Sequence, residues 1–533
     1  MDYQLVIGQL LQTGLTRAPQ QRITHADQVE MSYADLGQRV GRLGSALTRL
    51  GLGQGAVVAV MDYDSHRYLE CFFAIPMLGA TLHTVNVRLS PEQILYTINH
   101  AEDDAILVHA DFLPVLLPLV PRITRKVRLI LLADAATPLP EGFAGEYEAL
   151  LARGDPAHGF PELAETTRAT LFYTTGTTGD PKGVSFTHRQ LVLHTLGVVA
   201  AFAPVPGRGG IKADDVYMPL TPLFHVHGWG FPLVATMLGM RQVYPGRFDP
   251  GKALALIARH GVTYSHCVPT ILNMVLNAPG SEAVDLSRWK VTIGGSALPE
   301  GLARAAVARG IDVHTGYGMS ETCPVLTLAD MQATQAGGDT VGIRIATGRA
   351  VPLVQLRVVD PDMRDVAHDG VATGEVVARA PWLTAGYLKN DAASADLWRG
   401  GWLHTGDVGT MAADGTLRVG DRLKDIIKSG GEWISSLDLE SIASAVPGVV
   451  EAAAVGIPDA RWGERPVIMV VAKAEVEVEA AVHAAVAAAI AAGRLSKWAA
   501  PERVITVAAI PKTSVGKIDK KVIRARLAAV GAG

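Results

Sequence analysis

Tyr173-Thr174-Thr175-Gly176-Thr177-Thr178-Gly179-Asp180-Pro181-Lys182-Gly183 concentrates four threonines, three glycines and a lysine in eleven residues. Glycines let successive backbone N–H groups turn toward one anion, hydroxyls add donors, and the lysine supplies a point charge. Thr170 to Tyr173 reads as a strand, so the loop sits at a strand end, where layered α/β folds place ligands. The chemistry suits a polyphosphate. It is not the P-loop of ordinary NTPases, because Pro181 takes the second glycine position and Gly183 replaces the metal-binding Ser/Thr. A second stretch, Gly246 to Lys252, fits that spacing but ends in Ala253, so it is expected to be an ordinary loop before a helix.

Outward from this loop, short apolar β-type runs alternate with amphipathic or Ala-rich stretches, the pattern of α/β layering. Ala56 to Met61, Thr170 to Tyr173 and Ile311 to Thr315 are predicted strands, and Phe231 to Met240 a core element. No repeat of fixed period is present. The pattern shifts near Gly420-Asp421-Arg422-Leu423-Lys424-Asp425. Beyond it, Val467 to Ala472 reads as a strand, Val478 to Ala492 as a helix, Arg503 to Ile510 as a strand and Lys520 to Val530 as a helix. That organisation predicts two domains, 1–422 and 423–533.

The chain has 533 residues, 49% hydrophobic and 19% charged, enough for several large cores. A formal charge of −4 argues against nucleic acid as a partner, since such binding needs a broad basic face. Cys71, Cys267 and Cys323 are too few and too far apart for a disulfide framework or zinc site, and read as reduced thiols of a cytoplasmic protein. The start, Met1-Asp2-Tyr3-Gln4, lacks the basic region of a secretory leader. No apolar run reaches the ~18 residues of a membrane span.

The Thr/Gly/Lys loop resembles the phosphate-binding signature of the adenylate-forming superfamily, which holds acyl-CoA synthetases, luciferases and peptide-synthetase adenylation domains. Five more stretches follow the order of that family's motifs. They are Pro222-Leu223-Phe224-His225, Gly316-Tyr317-Gly318-Met319-Ser320-Glu321-Thr322, Gly401-Trp402-Leu403-His404-Thr405-Gly406-Asp407, Gly420 to Asp425 with Ile427 to Glu432, and Pro511 to Lys517. Thr175 stands where serine is usual and Ser320 where threonine is usual, and both keep the hydroxyl. The resemblance implies an α/β fold: a large N-terminal domain of layered α/β subdomains plus a β-barrel-like subdomain, with a small mobile α+β C-terminal domain. It implies an ATP-dependent acyl-CoA ligase, in which a carboxylate becomes an acyl-adenylate and then a thioester.

By that resemblance, Thr174, Thr175, Gly176, Thr177, Thr178, Gly179 and Lys182 hold the β- and γ-phosphates of ATP. Glu321 and Thr177 bind Mg²⁺, and Thr322 meets the α-phosphate. Tyr317, between Gly316 and Gly318, faces adenine. Asp407 accepts the ribose hydroxyls beside Arg422. Gly295, Ser296 and Ala297 border the nucleotide and acyl chain, and Lys517 bridges carboxylate and α-phosphate. His225 lies beside the acyl pocket, preferred over His227 by its place in the motif. Lys424 is the hinge. After its rotation Lys428, Gly430, Gly431, Glu432 and Trp433 reach the site, with Gly431 against the pantetheine of coenzyme A.

Trp229, between Gly228 and Gly230, occupies the position of an acyl-tunnel gate in fatty-acyl-CoA synthetases of similar sequence, with Gly295 and Gly318 completing the pocket. A core aromatic is the plain alternative. A medium- to long-chain fatty acid is the first expectation for the substrate, and a cyclic, aryl or sulfur-bearing acid the second. The sequence ends sixteen residues after Lys517, which favours free coenzyme A over an appended carrier domain. A stand-alone enzyme loading a separate carrier protein is the nearest rival, and a homodimer is an allowed assembly. A serine hydrolase is disfavoured, because no serine has glycine at both −2 and +2.

Overall fold

The computed structural model describes residues 3–174, 180–205, 210–337, 339–430, 432–473, 476–512 and 518–530. Thr175, Gly176, Thr177, Thr178, Gly179, Gly431 and Lys517 therefore lie outside the described residues, as does the side chain of Trp433.

Val57–Met61 is buried along its whole length. Such a continuous apolar run suits a central parallel strand covered on both faces. It pairs in parallel with Thr81–Thr84 on one side and Ala105–His109 on the other. The resulting seven-stranded sheet ends in an antiparallel hairpin of Arg168–Tyr173 and Gly183–Thr187. A second sheet of nine strands has a parallel centre formed by Tyr264–Cys267, Lys290–Ile293 and Asp312–Gly318.

Helices His66–Met77, His188–Phe202 and Phe231–Leu238 contribute to one core shared with both sheets, in which Tyr68, Phe72, Phe172, Phe231 and Tyr264 meet. Further helices cover the outer faces, Pro91–Ala101 on the seven-stranded sheet and Pro250–His260 and Glu300–Ala308 on the nine-stranded sheet. Capping fixes several starts. Ser32 and Asp35 form a reciprocal capping box for Tyr33–Arg49, and Asp249 caps Pro250–His260 through Lys252 N–H. Gly246 to Lys252 is thus a loop and helix start, as expected.

Where a β-barrel-like subdomain was expected there is a four-stranded antiparallel sheet, Gln355–Val359, Thr373–Arg379, Leu403–Met411 and Leu417–Arg422. The C-terminal part has its own five-stranded sheet. One face of that sheet packs against Ser436–Ser444 and Glu479–Ala491, the other against Lys520–Val530. The strand expected over 503–510 is shorter, Arg503–Thr506. Its partner Gly463–Ala472 ends two residues past Val470, the mate of Thr506, so little ladder remains to extend it.

Among the described residues no helix is long and apolar enough to cross a membrane. All three cysteines are buried and unpaired.

A buried ion pair ties the nine-stranded sheet to the loop before it. Lys290 Nζ donates to Asp215 at 2.6 Å and to the Gly210 carbonyl at 2.7 Å. Removing one partner of such a pair strands a charge in the interior. Lys290→Met is therefore expected to cost about 3 kcal/mol, read as an early unfolding transition in thermal denaturation.

Candidate functional site

The Arg168–Tyr173/Gly183–Thr187 hairpin holds the base of the Thr/Gly/Lys loop: Thr174 N–H donates to the Lys182 carbonyl at 2.9 Å. The Tyr173 hydroxyl pairs with His100 Nδ1 at 2.8 Å and anchors the loop's first residues to the helix 91–101. Lys182 is exposed, and its ammonium stands 4.6 Å from the centre of the Tyr387 ring. The Tyr387 hydroxyl donates to Glu321 Oε1 at 2.6 Å. One aromatic side chain therefore joins the expected phosphate lysine to the expected metal carboxylate. Burial raises the Glu321 carboxyl pKa, while the Tyr387 hydrogen bond and the charges of Arg422 and Lys182 oppose that rise.

Thr322 is fully buried, and its hydroxyl bonds the backbone of its own turn, at Met319 and Pro324. Gly318 has no room for a side chain, since a Cβ there would fall 1.6 Å from the Pro324 carbonyl oxygen. Tyr317 donates to Asp407 Oδ2 at 2.7 Å, and Arg422 Nε lies 3.4 Å from Asp407 Oδ1. Asp407 and Arg422 face each other on adjacent antiparallel strands, a direct consequence of register. Burial, then the Asp407 charge, pushes the Tyr317 phenol far above its ordinary range. Gly295, Ser296 and Ala297 are exposed just past the end of strand Lys290–Ile293.

His225 precedes a short kinked segment, Val226–Trp229, in which His227 and Gly228 have left-handed φ/ψ. His227 is the buried member of the pair, among Phe72, Phe172 and Phe186, and His225 is half-buried. Trp229 is 6% exposed and lies over His266 and Gly294; a Cβ on Gly294 would come within 3.0 Å of its ring.

Lys428, Gly430 and Glu432 lie on and beside the hairpin Ile427–Ser429/Glu432–Ile434. Gly430 has φ +59°, and a Cβ there would strike the Trp498 indole at 2.5 Å. The segment around Lys424 is held from both sides. Leu423 N–H donates to the Gly406 carbonyl at 2.9 Å, whereas Asp425 pairs with Arg524 at 2.8 Å.

Tyr387 was missed by sequence reading. Its local signal, Thr384-Ala385-Gly386-Tyr387, carries no charge or loop chemistry, and only the fold brings it to Glu321.

Comparison with known proteins gives the class of protein, an AMP-binding enzyme. The chain belongs to the AMP-binding enzyme family, matched over residues 11–388, and it matches that family's C-terminal domain over 438–517. It is 40% identical to a long-chain-fatty-acid–CoA ligase of Thermus thermophilus, covering 92% of this chain and 89% of the relative. It is 38% identical to a 3-methylmercaptopropionyl-CoA ligase of Ruegeria pomeroyi, covering 93% and 91%. The ATP-bound crystal structure of MatB from Rhodopseudomonas palustris superposes with a TM-score of 0.83 at 26% identity, over 98% of this chain and 99% of that one.

The Gly318 contact gives a direct check. Gly318→Ala forces the strand Asp312–Gly318 away from residue 324. It is expected to cost about 1–3 kcal/mol as overpacking and to weaken AMP binding markedly, measured by thermal denaturation and titration calorimetry.

Proposed function

We propose that this protein is an ATP-dependent acyl-CoA ligase. The observation that carries the reading is whole-length similarity to two CoA ligases, together with two linked sets of side chains, Lys182–Tyr387–Glu321 and Tyr317–Asp407–Arg422. A carboxylate oxygen attacks the α-phosphorus of ATP and pyrophosphate leaves. The thiol sulfur of coenzyme A then attacks the acyl carbonyl and AMP leaves. Both nucleophile and phosphates are anionic in the first step, so the work is positioning and charge stabilisation.

In this reading residues 174–182 cradle the β- and γ-phosphates, Asp407 and Arg422 orient the ribose, and Thr322 lies near the α-phosphate. The donor set fits Mg²⁺. Glu321 supplies a buried carboxylate, Thr177 a hydroxyl, and among the described residues no group of three or more His, Cys, Asp or Glu forms a ready-made cage. Mg²⁺ usually arrives with phosphates and needs only one or two protein oxygens. When bound it neutralises charge on the phosphates.

The domain boundary falls between residues 422 and 423, with Lys424 as the hinge. Lys517 bridges carboxylate and α-phosphate in the first half-reaction. Rotation of the small domain then brings Lys428, Gly430, Gly431, Glu432 and Trp433 toward the thiol. Trp229 gates a pocket for a medium- to long-chain fatty acid or another bulky apolar acid, with His225 at its mouth. The enzyme works in the cytoplasm with free coenzyme A as acceptor.

Two variants separate the half-reactions. Lys517→Ala should slow adenylation by ~10²–10³-fold, the scale of one preorganised charge donor, while still converting supplied acyl-adenylate with coenzyme A. Lys424→Pro fixes φ near −65° and restricts Leu423, so it should make adenylate and stall at the thioester. Pyrophosphate release and acyl-CoA formation are timed separately; ADP as the stoichiometric product, or equal slowing of both halves by both variants, contradicts the scheme.

Glu321 supplies a pH check. Its pKa is raised by burial and pulled back by Tyr387. Tyr387→Phe removes that hydrogen bond to the charged form of the carboxyl. The carboxyl then titrates higher still, and the acid limb of the pyrophosphate-release profile should move to higher pH. An unmoved limb would exclude Glu321 as an ionised participant.

A further inference from the structure

Trp229, the proposed gate, stands on a strained turn. Val226, His227, Gly228, Trp229 and Gly230 all have positive φ, from +48° to +76°. A left-handed backbone is unfavourable for every residue but glycine, and for a β-branched residue such as Val226 it is a clear outlier. Within the turn, Gly228 N–H donates to the His225 carbonyl and Gly230 N–H to the His227 carbonyl, both at 3.1 Å. A conformation of this kind persists only where its surroundings impose it.

The groups that grip its approach come from the seven-stranded sheet. Asp64, just past the end of strand Val57–Met61, accepts the Leu223 N–H on Oδ1 at 2.8 Å. Thr84, the last residue of strand Thr81–Thr84, donates its hydroxyl to the Phe224 carbonyl at 2.9 Å. The Arg88 guanidinium stands 5.8 Å from the centre of the Phe224 ring. Leu223 and Phe224 are thus held at one backbone donor, one backbone acceptor and one ring, immediately before His225 and the left-handed turn.

A buried carboxylate is a costly way to hold a loop. Asp64 is 7% exposed, and an acid taken that far from water needs partners that favour its charged form. Burial pushes its carboxyl up to about 7, while the Leu223 N–H and the Arg88 charge pull it down. One of these partners belongs to the 222–225 loop and the other lies over its aromatic ring. The Asp64 carbonyl accepts from Gly246 N–H at 2.8 Å, which fixes its own backbone as well.

We infer that Asp64 and Thr84 are positioning residues for the acid substrate: by clamping Leu223 and Phe224 they impose the left-handed turn and so fix where His225 and Trp229 stand. This rests on the acyl-CoA ligase reading, with Trp229 as the gate and His225 at the pocket mouth, and goes beyond it by naming what holds them. Without the clamp the turn relaxes toward the ordinary negative-φ regions, and both side chains leave their places. Tyr317 and Asp407, on the nucleotide side, are carried by strands Asp312–Gly318 and Leu403–Met411, which the clamp does not touch. The clamp therefore acts on use of the acid and not on use of ATP.

The test uses the full-length enzyme with ATP, Mg²⁺ and coenzyme A, octanoic and hexadecanoic acids as probes, and pyrophosphate release as the readout. Asp64→Ala and Thr84→Val are each expected to lower kcat/KM for the acid by about 10- to 100-fold, the scale of a misplaced positioning group, with the KM for ATP unchanged. Asp64→Asn, which keeps an acceptor for the Leu223 N–H, should recover part of the loss. Thr84→Val, close in shape to the native residue, carries the test if Asp64→Ala fails to fold. A clamp that only joins the two sheets would lower thermal stability and leave kcat/KM for the acid at the wild-type value; that result, or an equal rise in the KM for ATP, overturns the inference. Trp229→Ala separates it from the reading beneath it. If that variant shifts the preference between the two acids while the clamp variants do not, this inference alone falls. If the preference stays put, the gate reading fails and the inference with it. Absence of pyrophosphate from both acids with the wild-type enzyme overturns the fatty-acid reading, and this inference as well.

Discussion

Close approach of backbone to backbone at the ends of the parallel strands is the constraint on which the site depends. Gly294 and Gly316 end or interrupt neighbouring strands so tightly that a Cβ on Gly294 would lie 3.2 Å from the Gly316 carbonyl oxygen and 3.0 Å from the Trp229 ring. Gly318 leaves still less space beside residue 324. A methyl group on Gly318 would spread the strand ends, and one on Gly294 would press on the Trp229 ring. Gly294 sets where Trp229 rests, Gly316 and Gly318 set Tyr317, and Tyr317 in turn reaches Asp407 on the four-stranded sheet. Packing and chemistry are thus one problem here, because the same absent side chains admit both the neighbouring backbone and the tryptophan.

Two acidic groups repeat one design. Glu321 and Asp407 are both buried, and each accepts from a tyrosine hydroxyl with a cationic side chain at the cluster's edge. An ionised carboxylate away from water needs such partners, since an unpaired one would neutralise by protonation. In each case the tyrosine hydroxyl fixes one carboxylate oxygen. The cations, Lys182 and Arg422, remain exposed.

The stretch 420–425 is gripped by both halves of the molecule. Asp421 accepts from Ser436 N–H at 2.7 Å, and Ser435 Oγ donates to the Gly420 carbonyl at 2.6 Å, while Arg422 remains paired in register with Asp407. The C-terminal sheet has separate cores on its two faces.

The sequence by itself determined the class of chemistry and the strands around 57–61 and 170–173. It could do so because glycine placement, hydroxyl density and continuous apolar runs are local properties written along the chain. The fold alone decided which residues meet across it. Tyr387 reaches Glu321 from 66 positions away, and nothing in its own neighbourhood marks it. His225 and His227 are two residues apart and chemically identical, yet the left-handed turn at 226–229 buries one among phenylalanines and leaves the other half-buried. His266, Thr292 and His314 form a row only because three parallel strands align in register.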